Sequence, residues 1–245
     1  MADNPYARTA YGTPAVHPAY AGAPAAVDTR PLFTRAFGWM AVGLLVSAVA
    51  AGLVLTVPAL MNAVLGNRLV FFALIGAQLI TVLVLSARIH KMSVLAATLA
   101  FLGYAAMNGL TLSVIFLAYT AGSIASVFVI TGLTFAFMAV WGATTKRDLS
   151  KFGSLLTMAL VGVIIAMVVN IFMKSDTFAY LISIVGVLVF VGLTAFDVQK
   201  LKAMSATIDG EVTLGRLGIL GALTLYLDFV NLFLFLLRLL GGRRD

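Results

Sequence analysis

Two aspartates stand out because each lies in or beside a long apolar run. Asp228 lies inside GALTLYLDFVNLFLFLLRLL (Gly221–Leu240), and Asp197 lies in GLTAFDVQK, near the end of the preceding run. A carboxyl group in apolar surroundings can hold or release a proton, and its oxygens are ligands that hard cations such as Ca²⁺ prefer. The chemistry that these two residues indicate is proton binding and cation binding away from bulk water.

Asp228 is central in its run, 11 residues after Leu217 and 12 before Leu240. At 1.5 Å per residue it would lie about 17 Å from either end, close to the middle of a bilayer. An ionised Asp at that depth costs about 2.5–3.5 kcal/mol on insertion scales, so such a residue usually marks a functional site. Asn231, at i+3, adds a polar group to the same helix face. The alternative is a neutral Asp that hydrogen-bonds a neighbouring helix and stabilises packing.

Asp197 has two interpretations, pairing with Lys200 at i+3 or pairing with Asp228. The apolar boundaries place Asp197 roughly 12 Å nearer the interface than Asp228. The two can meet only if the helix continues through Gln199–Met204 or if the helices tilt. If they meet, they cannot both ionise cheaply, so they share a proton and titrate as a pair. The protonated pair joins two helices and the doubly ionised pair attracts a cation, which predicts a pH-sensitive gate.

The composition predicts an integral membrane protein. Of 245 residues, 62% are hydrophobic and 10% are charged, whereas soluble domains carry about 25% charged residues. There is no cysteine, and the histidines are His17 and His90. This excludes disulfides, thiolate metal sites and HExxH zinc sites, so we expect neither an enzyme nor a cofactor. The net charge of +7 includes no long basic run, so it indicates membrane topology and not nucleic-acid binding.

The predicted architecture is all-α, with a disordered cytoplasmic tail at 1–29 and one transmembrane domain at 30–245. A spanning helix needs about 20 apolar residues, and seven runs have about that length. They are Ala36–Val57, Leu69–Ala87, Ser93–Tyr119, Ser123–Ala143, Phe152–Met173, Phe178–Val198 and Leu217–Leu240. The third run is long, and Gly103, Asn108 and Gly109 suggest a tilt or kink within it.

The distribution of Lys and Arg predicts a cytoplasmic amino terminus. With the tail inside, 11 of the 16 basic residues lie on the inner side, as the positive-inside rule requires. The carboxyl-terminal GGRRD is discordant. Either it lies outside against that rule, or the last run dips in and returns.

Four ordered blocks carry a resemblance to a known family. They are NGLTLSVIFLAYTAGSIASVF (Asn108–Phe128), WGATTKRDLSKFGSLL (Trp141–Leu156), GLTAFDVQKLK (Gly192–Lys202) and GALTLYLDFVNLFLFLLRLL (Gly221–Leu240). From about Arg30 to Arg244 the chain resembles the Bax inhibitor-1 family, also called the transmembrane Bax inhibitor motif family, in a bacterial form. That family often has proline after the serine of GLTLS, where this chain has Val114, which puts a local helix kink in doubt.

The resemblance implies a fold and a set of roles. It implies seven helices, the last one central and surrounded by the other six, and a pH-sensitive passive Ca²⁺ leak. Asp197 matches the family's sensing acid, Asp228 matches its partner, and both would contact the cation. Arg88, in SARIHK, matches a basic latch, although it equally suits a positive-inside anchor.

We therefore expect a calcium leak channel of the bacterial inner membrane, whose partners are the lipid bilayer, Ca²⁺ and protons. A competing expectation is a non-transporting interaction protein. Some bacterial relatives are similar to modulators of a membrane-anchored ATP-dependent protease, engaged through the tail. In that case residues 1–30 would carry the function, and the acids would only hold helices together.

Overall fold

The computed structural model describes residues 28–244, with the side chain of Thr207 left out. The predicted tail at 1–29 therefore lies almost entirely outside the described residues. The helices are α1 (Arg30–Thr56), α2 (Pro58–Val64), α3 (Arg68–Arg88), α4 (Val94–Leu112), α5 (Ile115–Ala118), α6 (Ala121–Thr144), α7 (Ser150–Met173), α8 (Asp176–Met204) and α9 (Gly210–Leu240). Seven segments of the described chain are long and apolar enough to cross a membrane, with α4 and α5 forming one of them. The prediction of an all-α membrane protein with seven spanning helices is confirmed.

Short polar residues begin several of these helices. The side chain of Ser93 accepts a hydrogen bond from the amide of Ala96 at 3.1 Å, and that of Ser175 accepts one from Phe178 at 3.2 Å. Such caps satisfy amide groups that have no partner within the first turn. The starts of these helices are thus encoded locally in the sequence.

The third apolar run is broken at Ser113–Val114, and not at the glycines that the sequence indicated. Here α4 ends, and the hydroxyl of Ser113 donates to the carbonyl of Leu110 at 2.6 Å. Gly109 instead lies against the backbone of Ser47 on α1, where a Cβ would overlap it. The break forms with valine at position 114, so it does not depend on a proline there.

The last helix, α9, is the most buried of the spans. Of its most apolar 18 residues, 72% are buried, compared with 6% for α7. It packs against α1, α8, α6 and α4, while α7 packs chiefly on α8. Enclosure of α9 by all six other spans stays a prediction.

The antiparallel pair α8 and α9 has a register that glycines define. Gly221 lies against Leu201, and Gly186 lies against Phe235. In this register the first two turns of α9 extend past the end of α8. There Glu211 forms an ion pair with Arg35, which joins the starts of α9 and α1.

The far end of α9 lies at the opposite end of the bundle from the start of α1. The helix is continuous over 31 residues, or about 46 Å. Beyond it, the carbonyl of Gly242 accepts a hydrogen bond from Thr120 at 3.2 Å, and the amide of Arg244 donates to Ala118 at 3.0 Å. The last helix therefore crosses the bundle and does not return, which leaves the described residues 241–244 on the side opposite to α1's start.

Candidate functional site: an acid pair between two cavities

The structure brings Asp197 and Asp228 together. Helix α8 continues to Met204, six residues past the end of the apolar run at Val198. The register of α8 and α9 then sets the two acids within one helical turn of each other, and their carboxyl groups lie within hydrogen-bonding reach. The two acids therefore lie at the same level of the bundle, although the apolar runs alone place them at different depths.

Asp228 is the more enclosed of the two acids. Its side chain is 4% exposed, while Asp197 is half-buried. Within residues 28–244, no amide or hydroxyl group donates to the buried Oδ2 of Asp228. If both carboxyl groups were ionised, neither could donate a hydrogen bond to the other. A single proton shared between them would supply that hydrogen bond.

Two cavities meet at the acid pair. The first, which we call the end cavity, has a volume of about 250 Å³ and is lined by Ser86, Asp197, Lys200, Met204 and Thr224 among others. The second, the seam cavity, has a volume of about 370 Å³ and lies between α7, α8 and α9. Its lining includes both aspartates, Lys200, Thr224 and Asn231, with apolar side chains around them. Asp197, Lys200 and Thr224 belong to both cavities.

Lys200 has a more central position at the site than the sequence indicates. The sequence indicates only that it can pair with Asp197, one turn away on the same face of α8. In the structure its ammonium group acts electrostatically on Asp197, and its side chain lines both cavities. The i+3 spacing indicates that Lys200 lies near Asp197, but it does not show that the side chain of Lys200 lines two cavities.

The other two predicted residues lie at different distances from the pair. Asn231 lines the seam cavity near Asp228, and its Nδ2 donates to the carbonyl of Leu227 at 2.8 Å. Arg88 is exposed at the end of α3. In the described part of the chain the ion pair formed is Arg35–Glu211, and Arg88 reaches neither acid. The predicted roles of the acid pair as a pH sensor, of Arg88 as a latch and of Asn231 as a supporting polar residue stay predictions.

Comparison with known proteins assigns the family. The family described as inhibitor of apoptosis-promoting Bax1 matches residues 29–245. The chain belongs to the Bax inhibitor-1 family. The protein named inner membrane protein YbhL, from Escherichia coli strain K12, is 51% identical over 212 residues, covering 86% of this chain and 91% of the relative. An uncharacterized protein of Borreliella burgdorferi is 45% identical over 212 residues, with the same coverage. One from Deinococcus radiodurans is 41% identical over 219 residues, covering 89% of this chain and 93% of the relative.

A second polar cluster positions α9 in this family member, and the sequence did not reveal it. The hydroxyls of Ser47 and Tyr226 lie 2.6 Å apart, and Ser47 also donates to the carbonyl of Ala105 at 2.7 Å. Tyr226 and Asp228 are two residues apart, so they point to opposite faces of the helix. By holding Tyr226 against α1 and α4, this cluster turns Asp228 towards α8.

The oxygen atoms around Asp197 and Asp228 are better suited to brief binding of a cation than to a stable, fully coordinated metal site. Within the described residues no group of three or more Asp, Glu or His side chains is close enough to hold a metal ion. The pair supplies two carboxylates, and Thr224 and Asn231 add neutral oxygens in the same cavity. Ca²⁺ takes 6–8 oxygen ligands in its stable sites, so water would have to complete its coordination here.

Proposed function

We propose that this protein is a passive, proton-regulated cation leak of the bacterial inner membrane, with Ca²⁺ as the substrate and Asp197–Asp228 as the gate. The observation that carries the proposal is an acid pair, one member almost fully buried, at the boundary shared by two cavities. The name of the Escherichia coli relative supports the inner membrane as its location. The excess of basic residues at the end where α1 begins supports a cytoplasmic amino terminus.

The mechanism follows from the charge of the pair. With one shared proton, the hydrogen bond ties α8 to α9 and keeps the two cavities apart. When both acids ionise, they repel each other in a site that excludes most water, and they attract a cation into the space between them. Lys200 faces the same space and offsets part of the negative charge. No energy source enters this cycle, so cations move down their gradient.

The test measures Ca²⁺ flux from loaded liposomes that contain the purified protein, as a function of external pH. We expect a flux that rises as the pair deprotonates. Asp228→Asn keeps the shape of the side chain but cannot ionise, so the flux should lose its pH dependence; Asp197→Asn should do the same. Asp176→Asn is the matched control, because Asp176 begins α8 far from both cavities, and its flux should follow the wild type.

One result would count against the proposal, and a second would support the competing role. The first is a pH dependence that survives both substitutions at the pair in protein that still melts cooperatively. The second comes from a chain that lacks residues 2–27. If that chain keeps its flux but no longer alters the stability of membrane-protease substrates, the competing role as a protease modulator is favoured.

A further inference from the structure

A third cavity lies beside the acid pair, at the end of the bundle where α1 begins. It has a volume of about 610 Å³ and opens between the α6–α7 loop, the start of α7 and the end of α8. We call it the basic groove; its lining is Lys146, Arg147, Asp148, Ser150, Gly153, Ser154, Thr157, Phe196, Gln199, Lys200 and Ala203. Three cations and one acid line it, so its net charge is about +2.

The loop that carries two of these cations is held in place by α8. The amide group of Gln199 accepts a hydrogen bond from the backbone of Leu149 at 2.8 Å and donates to the carbonyl of Arg147 at 2.9 Å. Lys202 donates to the carbonyl of Ala143 at 2.7 Å. The cations at 146 and 147 are therefore presented by an anchored loop.

Asp148, the acid that lines the groove, already accepts a hydrogen bond from within the protein. The backbone amide of Ser150 donates to Asp148 at 2.9 Å. That bond, followed by the Ser150 hydroxyl and the charge of Lys151, holds the pKa of Asp148 below its usual range. Asp148 thus stays ionised at neutral pH, and three cations against this one acid still leave an excess of positive charge.

The wall that α7 contributes is a stripe of hydroxyl groups. Ser150, Ser154 and Thr157 have the i, i+4, i+7 spacing of a single helix face. Gly153, in the same wall, leaves room for the ring of Phe196 from α8. The hydroxyl of Ser150 is engaged with Asp148, and that of Thr157 donates to the carbonyl of Gly153 at 2.8 Å. The groups that the groove offers to phosphate oxygens are therefore its cations and the hydroxyl of Ser154.

The groove continues into an apolar seam. Thr157, Phe196 and Lys200 line both the basic groove and the seam cavity, whose α7 wall beyond Thr157 is Leu160, Val163, Ile164 and Met167. A polar, positively charged mouth that leads into an apolar slot along a membrane helix matches one class of molecule. Its phosphate would occupy the mouth and its acyl chain would lie along the seam.

We propose that the basic groove binds the phosphate of an anionic phospholipid, with one acyl chain lying between α7 and α8. Lys200 lines this groove and both cavities at the acid pair, so an occupied groove changes the charge that faces Asp197. That link to cation flux rests on the proposed function, whereas lipid binding itself does not.

The test is lipid retention by the purified full-length protein, measured by native mass spectrometry in detergent with phosphatidylglycerol or phosphatidylcholine added. We expect the anionic lipid to be retained more strongly. The double variant Lys146→Gln/Arg147→Gln should lower that retention by about tenfold or more, because each basic group near an anionic headgroup contributes to binding. Arg30→Gln/Lys91→Gln is the matched control, since it removes two exposed cations from the same end of the bundle but outside the groove.

A second variant separates occupancy of the groove from net charge. Ser154→Trp keeps every cation but fills the wall of α7, so it should also lower retention of phosphatidylglycerol. The proposal is overturned if the control pair loses as much lipid as the groove pair, if Ser154→Trp has no effect, or if phosphatidylcholine is retained equally. It is also overturned if inorganic phosphate displaces the lipid at equal concentration, because the ligand would then be a soluble anion.

Discussion

Asp197 has two ionisable neighbours of opposite type, and each affects how readily its carboxyl group ionises. Asp228 faces it from α9, and Lys200 follows it by one turn on α8. A nearby acid disfavours the ionised form and a nearby cation favours it. Under the proposed function, a substitution at Lys200 is therefore expected to change how readily the acid pair ionises.

Lys200→Gln tests this expectation. Without the ammonium group the doubly ionised pair loses a stabilising neighbour, so a higher pH is needed to reach it. We expect the midpoint of the pH-dependent Ca²⁺ flux to move upward, on the order of half a pH unit. Lys151→Gln removes a cation one helix away and should leave the midpoint unchanged. A midpoint that stays fixed or moves down in Lys200→Gln would contradict the assignment.

The sequence alone was sufficient to identify Asp197 and Asp228, but not all the residues that lie around them. An Asp in the middle of an apolar run is visible because its cost in lipid is large. Lys200 was visible only as a pattern on one helix, because the cavities beside it depend on how three helices pack. Arg88 was selected as a latch by resemblance, and its exposed position reflects where α3 ends.

At the level of elements, the position of Asp197 depends on a close approach between α6 and α8. Gly142 on α6 lies directly against the backbone of Ala195, two residues before Asp197. Any Cβ at position 142 would overlap the carbonyl oxygen of Ala195 and lie about 2.9 Å from its Cα. Because a backbone atom cannot rotate away as a side chain can, the helices themselves would have to separate.

Gly142→Ala should therefore destabilise the protein, by about 1–3 kcal/mol if it follows other overpacked sites. Gly132→Ala, on the same helix, is the matched control because a Cβ there meets nothing within 4 Å. In that variant the better helix propensity of alanine should leave stability equal or slightly higher. Thermal unfolding in detergent measures both. Equal melting temperatures for the two variants would show that α6 can move away from α8 at little cost.

Apolar runs predicted the middle of each spanning helix well and the ends less well. Helix α8 extends six residues past Val198 and α9 begins seven residues before Leu217. Hydrogen bonding within a helix continues through polar turns that leave the apolar layer, so hydropathy alone marks the ends too early. The break at Ser113–Val114 contains no glycine or proline, so composition pointed to the glycines at 103 and 109, and only the family resemblance directed attention to position 114.

At the scale of the whole molecule, the two ends of α3 lie on opposite sides of the bundle. Arg68 begins this helix, and Lys91 ends the short 3₁₀ turn that follows it. The chain has no cysteine, so a single introduced cysteine is the only thiol. Sidedness can therefore be measured without a background from native residues.

Arg68→Cys and Lys91→Cys should give opposite labelling with a membrane-impermeant maleimide. With a cytoplasmic amino terminus, Arg68→Cys is labelled from the outside in intact membranes. Lys91→Cys should react only after permeabilisation, and the unsubstituted chain should show no labelling in either condition. Labelling of both positions from one side would contradict the arrangement of α3, while an exchanged pattern would reverse the predicted orientation.

The competing role as a protease modulator would depend on the tail at residues 1–27, which lies outside the described structure. It differs from the leak hypothesis in which part of the chain it needs. The acids and cavities belong to the helical bundle, whereas protease modulation belongs to the tail. A shortened chain consequently separates the two more cleanly than any point substitution.

The burial of α9 has a consequence for biosynthesis. The helix that carries Asp228 is synthesised after the other six spans, so those spans are made while the place of α9 is still unfilled. Until α9 is made, Ser47 lacks the hydroxyl of Tyr226, and Asp197 lacks its opposing carboxyl. A chain that stops before α9 therefore never assembles the acid pair.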